Sequence, residues 1–145
     1  MAALYRIWTS VFFFAVVVQV GLAGYGAFHT VKKAEDAGSI TKKAIEDGWD
    51  AHAIFGTIVV IASLLLLAFA FAARRQMSWD PRKLTGILFV LTAIQMVLPE
   101  LGRKVPALGW LHPIDALAIY ALAAMLAHRA WTKRDAPAPA TVSTT

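Results

Sequence analysis

Cysteine is absent from all 145 residues, which excludes structural disulfides, thiolate metal sites, iron–sulfur clusters and cysteine nucleophiles. Charged residues are also scarce, at 16% of the chain, whereas 59% of the residues are hydrophobic and the mean hydropathy is +0.61. A water-soluble domain of this length carries more charge and less apolar surface. Glycine-rich phosphate loops and nucleophile elbows are missing as well, which argues against kinases and hydrolases.

What the chain does contain is a set of four long apolar runs, at residues 7–28, 51–73, 84–98 and 111–131. A hydrocarbon layer of about 30 Å needs roughly 20 helical residues to cross it. The runs therefore predict an all-α integral membrane protein, a four-transmembrane-helix bundle with up-down-up-down topology. We expect the helices at about residues 5–29, 51–74, 83–101 and 111–132, in a single domain of residues 1–135.

The segments between and after these runs are more polar. Residues 30–50 are predicted to form an outer loop with a short amphipathic helix, capped by Ser39 or Thr41. Pro99 follows the short third run and predicts that the third helix ends or kinks there, with an ordered cap up to Gly109. Residues 136–145, rich in Pro, Ala, Thr and Ser, are predicted to be a disordered tail.

The distribution of cations predicts the orientation. The net charge of +5 comes from short clusters between apolar runs, so it points to membrane topology and not to nucleic acid. With both termini in the cytoplasm, eight of the 14 cations lie inside: Arg6, Arg74, Arg75, Arg82, Lys83, Arg129, Lys133 and Arg134. We expect a multi-pass protein of a bacterial plasma membrane. The first run extends well beyond the roughly 7–15 residues of a signal-peptide core, which favours an uncleaved helix.

Histidines supply the candidate functional site. In the predicted topology His29, His52 and His112 lie at the outer ends of the first, second and fourth helices, and His128 lies at the opposite end. Helices of a bundle are about 10 Å apart, so side chains at one depth on different helices can meet. Imidazole is the usual axial ligand of b-type haem, which makes His52 and His112 candidate ligands of a haem iron near the outer leaflet.

Small residues beside these histidines favour the same interpretation. Gly56 follows His52 by one helical turn and Ala116 follows His112 by one turn, which would leave room for a flat ring. Asp115 lies inside the fourth run, where an unpaired carboxylate is costly, so we expect it to pair with His112 or with Arg103 and Lys104. The alternative is structural: small residues also let helices pack without a ligand, and histidine often lies in the wet interface.

A faint internal repeat runs through the chain. Gln19 and Gln95 occupy similar places in the first and third runs, and each hairpin then reaches a tryptophan followed closely by a histidine, Trp49 before His52 and Trp110 before His112. Paired hairpins predict a pseudo-symmetric bundle that binds something between its halves. The two glutamine amides are expected to form hydrogen bonds across helices.

These stretches resemble known families. Trp49-Asp50-Ala51-His52 with Gly56, and Leu111-His112-Pro113-Ile114-Asp115-Ala116, look like a group of small bacterial four-helix membrane proteins of unknown function, over most of residues 5–131. More loosely, the histidines resemble one four-helix half of the haem A synthase and cytochrome b-type bundles. That resemblance implies haem b on His52 and His112. Trp49 replaces the glutamate that the synthase family places three residues before its second-helix histidine, and a second half is missing, so haem oxidation is not implied.

Two functions follow as hypotheses. The first is a haem b protein in which His52 and His112 bind the iron, Gly56, Ala116, Asp115 and His29 surround it, and electrons pass to or from a quinone or a larger membrane complex. The second is a non-enzymatic accessory or scaffold subunit that binds partner proteins or lipid without a cofactor. Both hypotheses leave the oligomeric state open, and neither makes the chain a catalyst. A small oligomeric transporter is less favoured, because the sequence places no charge near the bilayer midplane.

Overall fold

The structure is a computed structural model that describes residues 1–133, so the predicted tail at 136–145 lies outside the described residues. Four long helices form the described chain: α1 (Ala2–Ala37), α2 (Lys42–Ala73), α3 (Arg82–Lys104) and α4 (Leu111–Thr132). A single 3-10 turn lies between α2 and α3, at Arg74–Gln76, and another lies between α3 and α4, at Pro106–Leu108. All four helices are long and apolar enough to cross a membrane. The predicted all-α architecture of four such helices is confirmed.

Residues 30–50 differ from the prediction. α1 continues to Ala37 and α2 begins at Lys42, so the expected outer loop shrinks to residues 38–41. The predicted bounds of the first two helices were therefore too short by two turns or more at this end. Hydropathy shows where a helix leaves an apolar layer, and it does not show where the helix ends.

The physical reason for the longer helices lies in their polar turns. Ion pairs one turn apart support them, with Lys32 Nζ 2.7 Å from Asp36 Oδ1 and Lys43 Nζ 3.2 Å from Asp47 Oδ1. Gly38 ends α1 in the left-handed conformation, at φ 70°, which glycine adopts without a Cβ penalty. The predicted amphipathic segment is thus the start of α2 and not a separate helix.

Thr41 caps α2, as one of the two predicted caps. Its hydroxyl accepts a hydrogen bond from the Ala44 N–H at 3.1 Å. We expect Thr41→Ala to lower the free energy of unfolding by about 1 kcal/mol, because that amide loses its acceptor. Denaturant titration in detergent micelles measures the change. Ser39→Ala is the matched control, since the Ser39 side chain makes no hydrogen bond within residues 1–133, and an equal loss in both variants would contradict the assignment.

The third helix runs close to its expected bounds. α3 continues through Pro99 to Lys104, three residues beyond the expected end at about residue 101. Proline lacks an N–H, so one carbonyl of the preceding turn goes without its usual helical partner while the helix continues. The predicted ordered cap is present as the 3-10 turn Pro106–Leu108, whose end is held by a hydrogen bond from the Gly109 N–H to the Pro106 oxygen.

The helices form a closed ring. α1 packs against α2 and α4, and α3 packs against the same two helices, so α2 and α4 lie across a diagonal of the bundle. Contacts at one end show the alternating direction of the chain: the Ala2 N–H donates to Gln76 Oε1, Tyr5 Oη lies 2.8 Å from Thr85 Oγ1, and Arg6 Nε donates to the Ala130 oxygen. Successive helices of the bundle therefore run in alternating directions.

Corresponding positions of the two hairpins are buried. α2 and α4 bury residues at one constant spacing: Val59, Ser63, Leu66 and Ala70 in α2, and Ile119, Ala123, Leu126 and Ala130 in α4. α1 and α3 also bury residues at one constant spacing, if Pro81, directly before α3, is counted with that helix. The buried residues Tyr5, Thr9, Phe12 and Val16 correspond to Pro81, Thr85, Leu88 and Thr92. The α1–α2 and α3–α4 hairpins are therefore structural repeats that face each other across the core. The same spacing pairs His52 with His112 and Gln19 with Gln95.

Candidate functional site

His52 and His112 meet inside the bundle. They come from α2 and α4, the two helices on a diagonal, and their ring centres lie 6.3 Å apart with 68° between the ring planes. Both side chains are half-buried. His52 lies well inside α2 and not at its end, because α2 begins at Lys42. The two imidazoles nevertheless share one depth.

Gln19 of α1 orients the first imidazole. His52 Nδ1 lies 3.2 Å from the main-chain oxygen of Gln19, and a carbonyl oxygen only accepts, so this nitrogen carries the proton. The Gln19 amide nitrogen donates to the main-chain oxygen of His52 at 2.9 Å and lies 3.3 Å from His52 Nε2. Because an amide nitrogen only donates, Nε2 is the acceptor nitrogen of the ring. A hydrogen bond from one ring nitrogen to a carbonyl is the usual support of a metal-binding histidine.

Gln95 of α3 repeats the arrangement on the second imidazole. Its amide nitrogen donates to the main-chain oxygen of His112 at 3.2 Å and lies 3.4 Å from His112 Nε2. Nε2 is therefore the acceptor nitrogen here too. Both amides thus form hydrogen bonds across helices, as expected from the sequence, but their histidine partners were not foreseen. The sequence signal for this pairing was that a glutamine in the first helix of each hairpin is followed by a histidine in the second helix.

Glycines set the spacing of each hairpin beside the site. A Cβ on Gly26 or on Gly48 would lie 2.9 Å from the carbonyl oxygen of the other glycine, and a Cβ on Gly102 would lie 2.9 Å from the Cα of Gly109. Such distances are closer than real Cβ atoms approach, so only glycine allows the backbones to meet there. In each pair, the first glycine, Gly26 or Gly102, lies seven residues after a glutamine. The second glycine, Gly48 or Gly109, lies directly before a tryptophan. Sequence reasoning missed this second part of the repeat.

Gly56 and Ala116 flank the histidines, and both are half-buried. A Cβ on Gly56 would lie 3.0 Å from the Gln19 amide nitrogen. The small residue at Gly56 therefore makes room for the Gln19 side chain, which was not the neighbour expected from the sequence. Ala116 holds the equivalent position one turn after His112.

His29 lies apart from the histidine pair. Its Nδ1 is 3.3 Å from the hydroxyl oxygen of Tyr25, in the preceding turn of α1. Ten residues separate His29 from Gln19, which is about 15 Å along a helix. α1 also continues to Ala37, so His29 does not end the first helix as expected. No ring contact or hydrogen bond within residues 1–133 joins it to His52 or His112.

Asp115 lacks the partners that the sequence predicted. Its Oδ2 atom is buried and accepts no hydrogen bond from residues 1–133, so pairing of this oxygen with His112, Arg103 or Lys104 is wrong. Arg103 pairs instead with Glu100, three residues away on the same exposed helix end, so a nearer carboxylate takes up its charge.

Buried polar atoms without a partner occur at both ends of the described bundle, with Trp79 Nε1 at the far end and five atoms at this end. Besides Asp115 Oδ2, the five include Gln19 Oε1, Gln95 Oε1, His112 Nδ1 and His29 Nε2, all buried and without a hydrogen bond inside the described chain. A buried polar atom left unpaired costs about 1–3 kcal/mol, so such groups tend to mark places where a polar ligand or water binds.

The donor set matches the needs of a haem iron. Porphyrin supplies four nitrogens, so two imidazoles complete the coordination, whereas a structural zinc site uses four protein ligands. The two rings lie edge to face with centres 6.3 Å apart, a spacing that brings both imidazoles to one place and that packed rings without a ligand also adopt. Within residues 1–133, no group of three or more His, Asp and Glu side chains is placed to hold a metal ion.

Comparison with known proteins gives no relative: no family model, no curated protein and no solved structure matches the chain.

Proposed function

We propose that the chain is an integral membrane haem protein of the cytochrome b type, with His52 and His112 as the axial ligands. One observation carries this proposal: two imidazoles from diagonal helices meet inside the bundle, with ring centres 6.3 Å apart. Resemblance to one half of the haem A synthase and cytochrome b-type bundles supports the same assignment.

The surrounding residues support the ligand role of His52 in particular, because His112 Nδ1 has no hydrogen-bond partner within residues 1–133. The main-chain oxygen of Gln19 accepts the Nδ1 proton of His52 and leaves Nε2 as a donor of electrons to a metal. The amide nitrogens of Gln19 and Gln95 lie beside the two Nε2 atoms. Each amide would have to move away from its histidine for a metal to bind at Nε2. Gly56 makes room for the Gln19 side chain that contacts His52.

Bound haem b supplies one-electron transfer, which would serve exchange with a quinone or a larger membrane complex. The half-buried position of the two histidines fits such exchange, because it limits water around them while keeping them near the bundle surface. Asp115, with its buried oxygen, would add a polar group to the same end of the bundle.

The proposal includes a location. Eight of the 14 cations fall on one side when both termini are cytoplasmic, which favours a bacterial plasma membrane with the histidine pair toward the outer leaflet. All four helices have the length and hydropathy that this topology requires.

Absorption spectroscopy of the purified full chain tests the cofactor. We expect a Soret band, and an α band that sharpens on reduction with dithionite, at about one haem per chain by pyridine haemochrome assay. Expression with added haem precursor ensures that supply is not limiting. A colourless, folded protein that takes up no added haem would overturn the proposal.

A colourless protein would instead favour the accessory-subunit hypothesis, which has one structural observation in its support. Gly21 and Gly24 of α1 have open space beside them, since a Cβ on either would meet nothing within 4 Å. Small residues on an outer helix face let a second helix approach closely. Under this hypothesis a larger membrane complex would co-purify with the chain and would be lost on Gly21→Leu.

A further inference from the structure

An apolar groove runs along the outside of the bundle at the end opposite to the histidines. It has a volume of about 500 Å³, and Leu67 of α2 forms one wall. The rest of the lining comes from α3: Arg82, Lys83, Gly86, Ile87, Phe89, Val90 and Leu91. The groove therefore begins at two cations and continues for about two helical turns between apolar side chains.

The two cations at the end of the groove differ in whether an acidic side chain neutralises them. Arg82 forms a two-pronged ion pair with Asp80, with Nη2 2.7 Å from Oδ2 and Nε 2.9 Å from Oδ1. The Arg82 guanidinium holds the pKa of the Asp80 carboxyl well below its usual range, so Asp80 stays charged and balances Arg82. Lys83 is exposed and has no partner among residues 1–133. Lys83 is thus the uncompensated charge, and Arg82 retains N–H groups for a second acceptor.

The connection from α2 to α3 adds to this positive charge. It carries Arg74 and Arg75 in the 3-10 turn, and Asp80 is the one acid between residues 74 and 83. A surface of this charge attracts anions, and its position next to an apolar groove suits an anion that carries a hydrocarbon chain.

We propose that this groove binds an anionic phospholipid, with its phosphate at Lys83 and Arg82 and one acyl chain along Leu67, Ile87 and Val90. A lipid suits the groove because α3, which forms most of its lining, has the length and hydropathy of a membrane-spanning helix and the groove opens on the outside of the bundle. Basic residues beside pockets of transmembrane helices are known to select anionic headgroups. The proposal does not depend on haem binding.

Gly86 makes the groove accessible. A Cβ at this position would meet nothing within 4 Å, so a side chain added there begins in open space on the lining of the groove. Gly86→Leu therefore blocks the acyl chain while it leaves the bundle intact, and leucine also favours a helix more than glycine does. Lys83→Gln removes the charge and leaves the groove open.

Native mass spectrometry of the detergent-purified full chain measures the bound lipid. Phosphatidylglycerol and phosphatidylcholine with identical acyl chains are compared, and glycerol phosphate serves as the headgroup without chains. We expect phosphatidylglycerol to bind at least about fivefold more tightly than phosphatidylcholine, since one cation near a membrane surface contributes about that factor. Lys83→Gln should remove the preference, and Gly86→Leu should weaken binding of both lipids.

Two matched variants serve as controls. Lys133→Gln removes an exposed cation at the same end of the bundle, and Gly21→Leu fills open space on α1. Both should bind lipid as the unaltered protein does. Equal affinity for the two lipids, a preference that survives Lys83→Gln, or binding of glycerol phosphate as tight as that of the lipid would each overturn the proposal. Circular dichroism verifies that every variant keeps its helix content.

Discussion

Alanine at His52 or His112 is expected to abolish the bis-imidazole haem spectrum and to lower the affinity for haem by at least about 100-fold. Loss of a group that only supports a metal ligand costs 10–100-fold in metal affinity, and loss of the ligand itself costs more. Each imidazole supplies one of two axial bonds, and within residues 1–133 no other histidine contacts the pair. Titration of the purified apoprotein with haem, followed at the Soret band, measures the change.

Two further histidines give the controls for this experiment. His128 is exposed at the opposite end of α4, and His29 lies about 15 Å along α1 from Gln19. His128→Ala and His29→Ala should bind haem like the unaltered protein. Unchanged spectra in His52→Ala and His112→Ala would refute the ligand assignment. Loss of haem in His29→Ala, with the spectrum of His52→Ala intact, would move the site toward the end of α1.

Alanine at Gly48 is expected to destabilise the protein by about 2 kcal/mol, the second large effect. The new Cβ would lie 2.9 Å from the main-chain oxygen of Gly26 and 2.9 Å from Thr30 Oγ1. A backbone oxygen cannot rotate away, so α1 and α2 must separate, and overpacking of this kind costs about 1–3 kcal/mol. Unfolding by sodium dodecyl sulfate in mixed micelles, followed by circular dichroism, measures the loss.

The separation of α1 and α2 caused by Gly48→Ala should also disturb the histidine site. Gly48 lies one turn before His52, and the contacts between His52 and Gln19 depend on the distance between α1 and α2. Haem affinity should therefore fall together with stability in Gly48→Ala. Gly24→Ala is the matched control on α1, because its Cβ would meet nothing within 4 Å and alanine favours the helix. Equal stability of the two variants would contradict the proposed close approach.

The histidine pair shows how far sequence reasoning reaches into the site. Shared depth of His52 and His112 follows from counting residues along apolar runs, because each helical residue rises by about 1.5 Å. The hydrogen-bond partners do not follow from counting. Gln19 and Gln95 contact the histidines because α1 packs on α2 and α3 packs on α4, and periodicity alone does not tell which faces of two helices meet.

Asp115 shows where such reasoning fails. Its neighbours in the sequence suggested a pairing with His112, Arg103 or Lys104, yet its Oδ2 faces the interior without a partner in residues 1–133. Proximity along a chain predicts contact only within one or two turns of a helix, and even there the side-chain direction decides. Arg103 forms an ion pair with Glu100, which lies three residues before it on α3.

The number of helices and their order were determined by the sequence alone, because long apolar runs have one stable form in hydrocarbon. The lengths of α1 and α2 beyond those runs depended on local ion pairs and on the Thr41 cap, which hydropathy does not record. Tertiary structure alone decided that α2 and α4 lie on a diagonal, that glycines hold each hairpin together, and that two imidazoles meet. Packing of side chains between helices sets these relations, and no property of a single helix contains them.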